Sequence, residues 1–502
     1  MTDLLLLKTI IIPILASVII LCMKSVKGRY AGWIAIIALV YTTTLLICTG
    51  TVVYKEGRIF EAYPLGPDVS LNLLADGLSI SVAIVINLIC LALAFYSLHY
   101  VDHRIELIYG KVDAETRGMY RKRFFSLYLF FPAGFMGVSF STNLLALYFF
   151  MELLTIIPLY FIMAQFGYSD YITRYKVALM CLFWGMAGAT IFMIGIILGF
   201  TQIGSFEIAE LPRLSGNPLT FWIALLMLSG LASKLAVIPL HVWMPWVHAE
   251  HPTCIAGLLA VYANIAAYIA VRTLILPLRS DLQVFSVPIM VLALITMIYG
   301  ALLTLAQTDA KRFCACSTIS QISYSVFGIG AMTIWGVEGG IFYFLSHILG
   351  KAVLFSTAGI LVYTVETRDM RKMGGLGSKM PVTAALWISA SLILSALPPT
   401  SGFVGKWLLF NGAFESVSGN PGGQMLVVIA ILSTLLTLIY TFLTGIRIFF
   451  GPIKPWLADQ HIKDPPLSMS LPLLALVLVA LFMGLCPKPF LTLLHAVIGN
   501  AL

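Results

Sequence analysis

Apolar runs of about 20 residues recur along this chain, separated by short polar connections. A run of that length is what a helix needs to cross the hydrocarbon core of a bilayer. Of the 502 residues, 60% are hydrophobic and only 10% are charged. A soluble fold of this size could not hide so much apolar surface. The pattern therefore predicts an all-α polytopic membrane protein. Fourteen spans are expected, near 4–23, 31–54, 77–98, 124–141, 143–164, 177–200, 220–246, 253–278, 284–307, 314–334, 338–363, 381–412, 424–450 and 468–494. The longest loop with real polarity runs from His99 to Arg123, too short for a separate soluble domain.

The net charge of +8 does not signal nucleic acid, because the basic residues sit in short loops between spans and are not clustered on a soluble domain. One set of alternate loops holds twenty of them: Lys24, Lys27, Arg29, Arg104, Lys111, Arg117, Arg121 to Arg123, Arg174, Lys176, Lys311, Arg312, Arg368, Arg371, Lys372, Lys379, Arg447, Lys454 and Lys463. The opposite face and the termini hold seven: Lys8, Lys55, Arg58, Arg213, Arg272, Arg279 and Lys488. The positive-inside bias places the first set in the cytoplasm and both termini outside, and an even number of spans likewise requires both termini on one side. Leu4 to Met23 is long enough to span and lacks a small-residue cleavage pattern, so no cleaved leader is expected.

The eight cysteines are scattered and lack metal-ligand spacing. Cys314 and Cys316, the nearest pair, point to different faces of a helix, so buried thiols acting as small hydrophobes are expected. No dinucleotide fingerprint or phosphate loop appears, which leaves no basis for bound cofactor chemistry in this chain.

Three basic residues remain, Lys234, Lys351 and Lys406, and each lies inside an apolar span. At a helix centre each costs about 2.5–3.5 kcal/mol on insertion scales unless it faces a partner or water. Lys234 is more than ten residues from either end of its span, too far for snorkelling. Five residues on, Pro239 cannot donate to the carbonyl of Leu235, which predicts a broken helix. Such breaks are tolerated at membrane depth where the backbone is buried or lines a polar cavity. His241 follows Lys234 by seven positions, on the same face of a continuous helix. Lys406 follows Pro398 and Pro399, which free the carbonyls of Leu394 and Ser395. A second broken helix with a lysine, in span twelve rather than seven, predicts an internal repeat of opposite membrane topology.

Glu152 stands alone in LYFFMELLTIIPLYF, so it is either protonated or paired with a lysine on another helix. His347 and Lys351 stack at i,i+4, a plausible two-site proton relay. His248 and His251, with Glu250, supply too few ligands for a metal, and an access-path or loop role suits them better. Asp76 and Glu338 begin their spans and are expected to cap them.

These segments resemble the antiporter-like subunits of respiratory complex I and the large Mrp cation-antiporter subunits. The resemblance covers roughly residues 70 to 450. It rests on ADGLS at Asp76, MELL at Glu152, SKLAVIPLHVWMP at Lys234, QTDAKRFCACSTISQISY after Gln307, LSHILGK at His347, TRDMRKMGGLGSKMPVTA after Thr367 and PPTSGFVGKW at Lys406. It implies two inverted five-helix bundles at spans four to eight and nine to thirteen. The organisation expected is then an N-terminal three-helix segment (1–123), two half-channels (124–278 and 284–450) and a C-terminal helix (468–502). It also implies that Glu152 modulates Lys234, with a polar relay through His347 and Lys351 to Lys406. Many members carry a lysine on span eight, where this chain has Asn264. A neutral amide holds no proton, so His241, His248 or an ordered water is expected to bridge that position.

The resemblance implies a proton- or sodium-translocating subunit with no redox cofactor of its own, working beside partner subunits that carry iron–sulfur clusters. Lysine at 406, and a chain that stops after span fourteen, favour an Mrp-derived ferredoxin-linked hydrogenase or sulfur-reductase type. The alternatives are a stand-alone Mrp Na+/H+ antiporter subunit, a complex I-type dehydrogenase subunit, or a scaffold with an inactive channel.

Overall fold

The computed structural model describes residues 4–66 and 69–502. Among them, ten helices are long and apolar enough to cross a membrane, and the shorter apolar helices Thr220–Lys234 and Pro381–Leu394 add to these. The chain forms two compact units. The first comprises Met1–Lys234, Tyr268–Gln283 and Lys488–Leu502, and the second Leu235–Ala267 and Val284–Pro487.

In the first unit, helix Leu5–Cys22 starts against a two-stranded antiparallel hairpin, Arg58–Gly66 with Val69–Asp76. The sequence reading did not anticipate this hairpin. Its buried Glu61 accepts hydrogen bonds from the backbone N–H groups of Leu6 and Leu7 at 3.0 and 3.1 Å, and from the Tyr63 hydroxyl at 2.6 Å. A carboxylate there satisfies two orphan donors of the helix start and complements its dipole. The expected polar loop from His99 to Arg123 is largely helical: Gly77–Tyr109 runs eleven residues past position 98, and Ala114–Tyr128 follows. Helix Leu144–Leu154 passes into a π-turn, Thr155–Tyr160, around Pro158 and ends as Phe161–Phe166. Helix Tyr171–Ile203 packs closely on Thr220–Lys234 through Gly188, Gly195 and Gly230. A Cβ on Gly188 would lie 2.9 Å from that of Ser233, the small-residue contact that membrane helices favour.

Both anticipated breaks are present. The helix that begins at Thr220 stops at Lys234 and resumes at Trp243, and the one that begins at Pro381 stops at Leu394 and resumes at Ser401. Each break turns on an alanine with positive φ, 51° at Ala236 and 58° at Ala396, three residues before Pro239 or Pro399. This register pairs Lys234 with Leu394, not with Lys406. One lysine ends the helix before its break, and the other sits six residues into the helix after it. The two halves thus carry their charge on opposite sides of the break.

In the second unit, helix Ile334–Val365 is pressed against Ser401–Ser416. A Cβ on Gly339 would lie 2.2 Å from the Leu409 nitrogen, and one on Gly405 would lie 2.8 Å from the Tyr343 Cα. The core beside this contact gathers Met290, Met297, Tyr324, Phe327, Tyr343 and Phe410. Two of the motif segments pair directly: the Ala310 N–H donates to Arg368 O at 2.9 Å, the Met370 N–H to Thr308 O at 2.8 Å, and Arg368 bridges Asp309 at 2.8 Å. In this connection Arg371 bonds Asp369 and holds its carboxyl at about 2. The expected span 468–494 is two helices, Leu467–Leu485 and Lys488–Ala501. Cys486 precedes Pro487 and leaves the α region, as a residue before proline tends to do.

Because backbone meets Cβ at Gly339, the variant Gly339→Val should cut the amount of folded chain in the membrane severalfold, with Gly339→Ala intermediate. Detergent-extracted yield and thermal melting of the purified complex measure this. Wild-type values for the valine variant would mean that the two helices do not approach so closely.

Candidate ion-conducting residues

In the first unit, the helix end at Lys234 faces the π-turn that follows Glu152. The Lys234 ammonium donates to Glu152 Oε1 at 3.0 Å and to Thr155 Oγ1 at 3.4 Å. The lysine side chain is 2% exposed and that of the glutamate 11%. Glu152 is therefore paired with a lysine of another helix, one of its two sequence-level alternatives. A π-turn beside such a group widens the helix and often marks a functional position.

The same unit holds an ion pair that sequence reading missed. Asp76 caps helix Gly77–Tyr109 as expected, with a reciprocal box: the Ser79 N–H donates to Asp76 Oδ1 at 2.9 Å, and the Asp76 N–H to Ser79 Oγ at 2.9 Å. Its second oxygen bridges Arg272 at 2.7 Å. Arg272, counted above with the opposite face, lies in the π-turn Val271–Ile275. One helical turn back, the Tyr268 hydroxyl donates to Ser139 O at 2.6 Å. Arg272 also lines a cavity of about 650 Å³ together with Arg58, Asn72, Thr142, Glu207 and Glu210. The signal in the sequence was a lone arginine in the apolar run AAYIAVRTLILPL.

In the second unit, the Lys351 ammonium donates to Cys314 O at 3.1 Å and to the Ser317 hydroxyl. His347, one turn away on the same face, meets a different partner: its Nδ1 lies 3.0 Å from Asn264 Oδ1. The Asn264 amide nitrogen donates to Ala260 O at 2.7 Å, so its carbonyl oxygen faces the imidazole. Nδ1 then carries the proton of that bond, and Nε2, buried and without a partner among the described residues, is left to take one. Asn264 thus contacts His347 directly through its carbonyl oxygen.

His248 is buried, with Nδ1 3.2 Å from Met244 O and its ring 5.5 Å from that of Phe355. His241 lies in the break and meets Tyr299 edge-on, ring centroids 5.1 Å apart. His251 is fully buried, and its carbonyl accepts from the Lys311 ammonium. Lys311, expected in a loop, is fully buried too. Glu338 does not cap its helix: Thr333 does, its hydroxyl accepting from the Gly336 N–H at 3.1 Å.

Lys406 is 4% exposed, and its ammonium has no hydrogen-bond or ion-pair partner among the described residues. It lies over the Tyr324 ring, 3.7 Å from the centroid, and 5.2 Å from that of Tyr343. The Tyr343 hydroxyl bonds Gln321 Oε1 and reaches the freed carbonyl of Leu394 at 3.3 Å. Gln321 Nε2 in turn donates to Thr437 Oγ1 at 2.8 Å.

A buried lysine–glutamate pair thus lies at one helix break, and a buried lysine over an aromatic ring lies beside the other. The chain is 30% identical over 390 residues to the NADH-quinone oxidoreductase subunit M of Rickettsia felis, covering 76% of each protein. The subunit M of Escherichia coli K12 is 30% identical over 73% of each. In fold, the chain matches a chain of the Mrp complex from Dietzia sp. with a TM-score of 0.86, at 22% identity over 99% of this chain and 97% of that one. A chain of respiratory complex I from Thermus thermophilus matches with a TM-score of 0.83, at 22% identity over 99% of each. The membrane-bound sulfane sulfur reductase, an archaeal respiratory complex, also has a chain that matches at 0.83, with 20% identity. The family model described as NADH:quinone oxidoreductase/Mrp antiporter, TM, matches residues 141–439, and the chain belongs to that family as an antiporter-like membrane subunit of the complex I and Mrp type.

Proposed function

We propose that this chain translocates protons as one subunit of a redox-driven membrane complex, with Glu152 and Lys234 as the switch and His347, Lys351 and Lys406 as carriers. His241 and His248 serve the access path. The observation that carries this reading is the buried Lys234–Glu152 contact at a helix break. While the carboxylate stays, the ammonium is stabilised; once it is drawn away, a desolvated ammonium is left to shed its proton. Breaking one side of such a buried pair is worth about 3–5 kcal/mol. Moving one charge against 100 mV costs about 2.3 kcal/mol, so one switched contact suffices.

In this reading the chain crosses the membrane fourteen times, with two inverted five-helix halves at 124–278 and 284–450. The three-helix segment 1–123 and the C-terminal segment 468–502 flank them, and both termini lie outside the cytoplasm. The redox centres, iron–sulfur clusters among them, belong to partner subunits. The preference for a ferredoxin-linked hydrogenase or sulfur reductase draws no support from the sequence relatives, which are NADH-quinone oxidoreductase subunits. We therefore favour a quinone-linked dehydrogenase of complex I type.

The purified complex in sealed vesicles tests this. Electron transfer from NADH to a quinone should acidify or alkalinise the lumen, read by a pH-sensitive dye, with iron–sulfur subunits copurifying. Sodium-driven pH change in the absence of any redox partner would replace this reading with a stand-alone antiporter.

A further inference from the structure

Lys406 has no carboxylate, hydroxyl or carbonyl on its ammonium among the described residues, yet it is buried at the contact of three helices. What it has is an aromatic face. The 3.7 Å from Nζ to the Tyr324 centroid puts the charge on the electron-rich side of the ring, an attraction that grows when water is excluded.

The ring is itself held in place. The Tyr324 hydroxyl pairs with Ser433 Oγ at 3.0 Å, and its edges meet Tyr343 and Phe410 in T-shaped contacts, with centroids 5.8 and 6.3 Å apart. Tyr343 stacks in turn on His347 at 6.3 Å, interplanar angle 8°. The lysine is delivered to this wall by Gly405, whose missing Cβ allows its helix to touch the Tyr343 backbone. Ser433 and Thr437, one turn apart on helix Pro421–Phe449, are both buried, so the polar ends of the wall are tethered to one helix face.

We propose that Tyr324 is a positioning residue: its ring face is the seat of the protonated Lys406, and it sets how tightly that lysine keeps its proton. The proposal rests on reading Lys406 as a proton carrier. The seat does for Lys406 what Glu152 does for Lys234, with a difference that matters for transport. A carboxylate can be drawn away and its pairing switched, whereas a ring fixed by hydroxyl and edge contacts offers a constant, uncharged well. The first lysine is thereby switched and the second is poised.

Other titratable groups surround this position. Glu338, Tyr343, His347, Lys351 and Tyr363 lie on helix Ile334–Val365, Lys311, Arg312, Cys314 and Cys316 on Ala310–Gly330, Tyr299 on Leu276–Leu305, Tyr440 and Arg447 on Pro421–Phe449, and Glu415 on the helix of Lys406 itself. The adjoining helices Pro381–Leu394 and Leu467–Leu485 carry none. All of these stay the same in variants of Tyr324, so a difference in pH profile reports the ring.

The test is the pH dependence of pumping, per electron transferred, by the whole complex in vesicles. Tyr324→Phe keeps the ring and should reproduce the wild-type profile. Tyr324→Leu removes it; the lysine then loses its proton at lower pH, and the alkaline limb should move down by about one unit. Phenylalanines of increasing fluorination at position 324 keep the shape while draining the ring face, and should move the limb stepwise in the same direction. This series carries the test even where the leucine variant fails to assemble. An unmoved limb across the fluorinated series, with Lys406→Ala inactive, would overturn the seat and leave the carrier intact. An equal shift in Tyr324→Phe and Tyr324→Leu would also overturn it, by assigning the effect to the hydroxyl. Wild-type pumping by Lys406→Ala would instead remove the carrier reading on which the seat depends.

Discussion

Lys234→Ala should abolish coupled ion translocation while the chain still inserts and assembles. The reason lies in how the lysine is held. Its helix packs on Tyr171–Ile203 through Gly188, Gly195 and Gly230, and those contacts do not involve the lysine side chain. Its ammonium is engaged by Glu152 and Thr155. Removing it leaves a buried carboxylate without its partner, which that group can answer by protonating. The fold thus loses one contact, while the proposed conduction path loses the group assigned there to alternate between two protonation states. Lys234→Arg should fail as well: guanidinium keeps its proton at any working pH, so the charge is retained and the exchange is lost. Proton uptake per electron in vesicles, set beside the amount of assembled complex, separates the two effects. Loss of assembly with normal coupling in the remainder would make Lys234 a structural residue. A pumping arginine variant would exclude proton exchange at this position.

Which parts of this site can be read from sequence follows from what each part leaves in the chain. Lys234 and Lys406 are conspicuous because a charge in an apolar run is costly, and because Pro239 and Pro399 sit near them. The breaks were accordingly legible, and Glu152 was legible as a group in need of a partner. Its pairing with Lys234 spans 82 residues, and only the family resemblance suggested that contact. The seat of Lys406 left no comparable trace. Tyr324 and Tyr343 are two among 21 tyrosines, and in an apolar helix a tyrosine reads as core; its use as a cation seat depends on which helix face meets Gly405. The Asn264–His347 bond was hidden for a related reason, since an amide in place of a lysine looks like a missing carrier until its partner is seen. Arg272 gave no hint of its partner, because positive charge near a span end satisfies a topology rule and nothing in the count asked for Asp76. The hairpin after Glu56 was lost to its neighbours: in RIFEAYPLG the alternation is short, and long apolar runs on both sides dominate any reading by hydropathy.

Lys406→Ala should bring pumping close to zero, and Lys406→Glu should leave a reduced but measurable turnover. Both follow from the aromatic wall around the ammonium. Alanine removes the side chain that the proposed path uses to exchange a proton here, and the hydroxyls of Tyr324 and Tyr343, engaged with Ser433 and Gln321, do not replace it. A glutamate restores an ionisable group but inverts the electrostatics. Its charged form faces the negative side of an aromatic quadrupole, which attracts cations and repels anions. The carboxyl is thereby biased toward its protonated, neutral form, and a neutral carrier exerts no repulsion on a proton arriving from His347 or Lys351. Transfer onward then loses the push that an ammonium supplies, and the yield per electron falls without vanishing. The glutamate variant should regain pumping toward higher pH, where ionisation is favoured, while the alanine variant stays flat at every pH. Vesicles loaded with a pH-sensitive dye, with electron transfer followed in parallel, measure both. Equal wild-type pumping in the two variants would take Lys406 off the path and leave Glu152 and Lys234 as the conducting pair, whereas equal and complete loss would show that charge sign at this position matters more than the ability to exchange a proton.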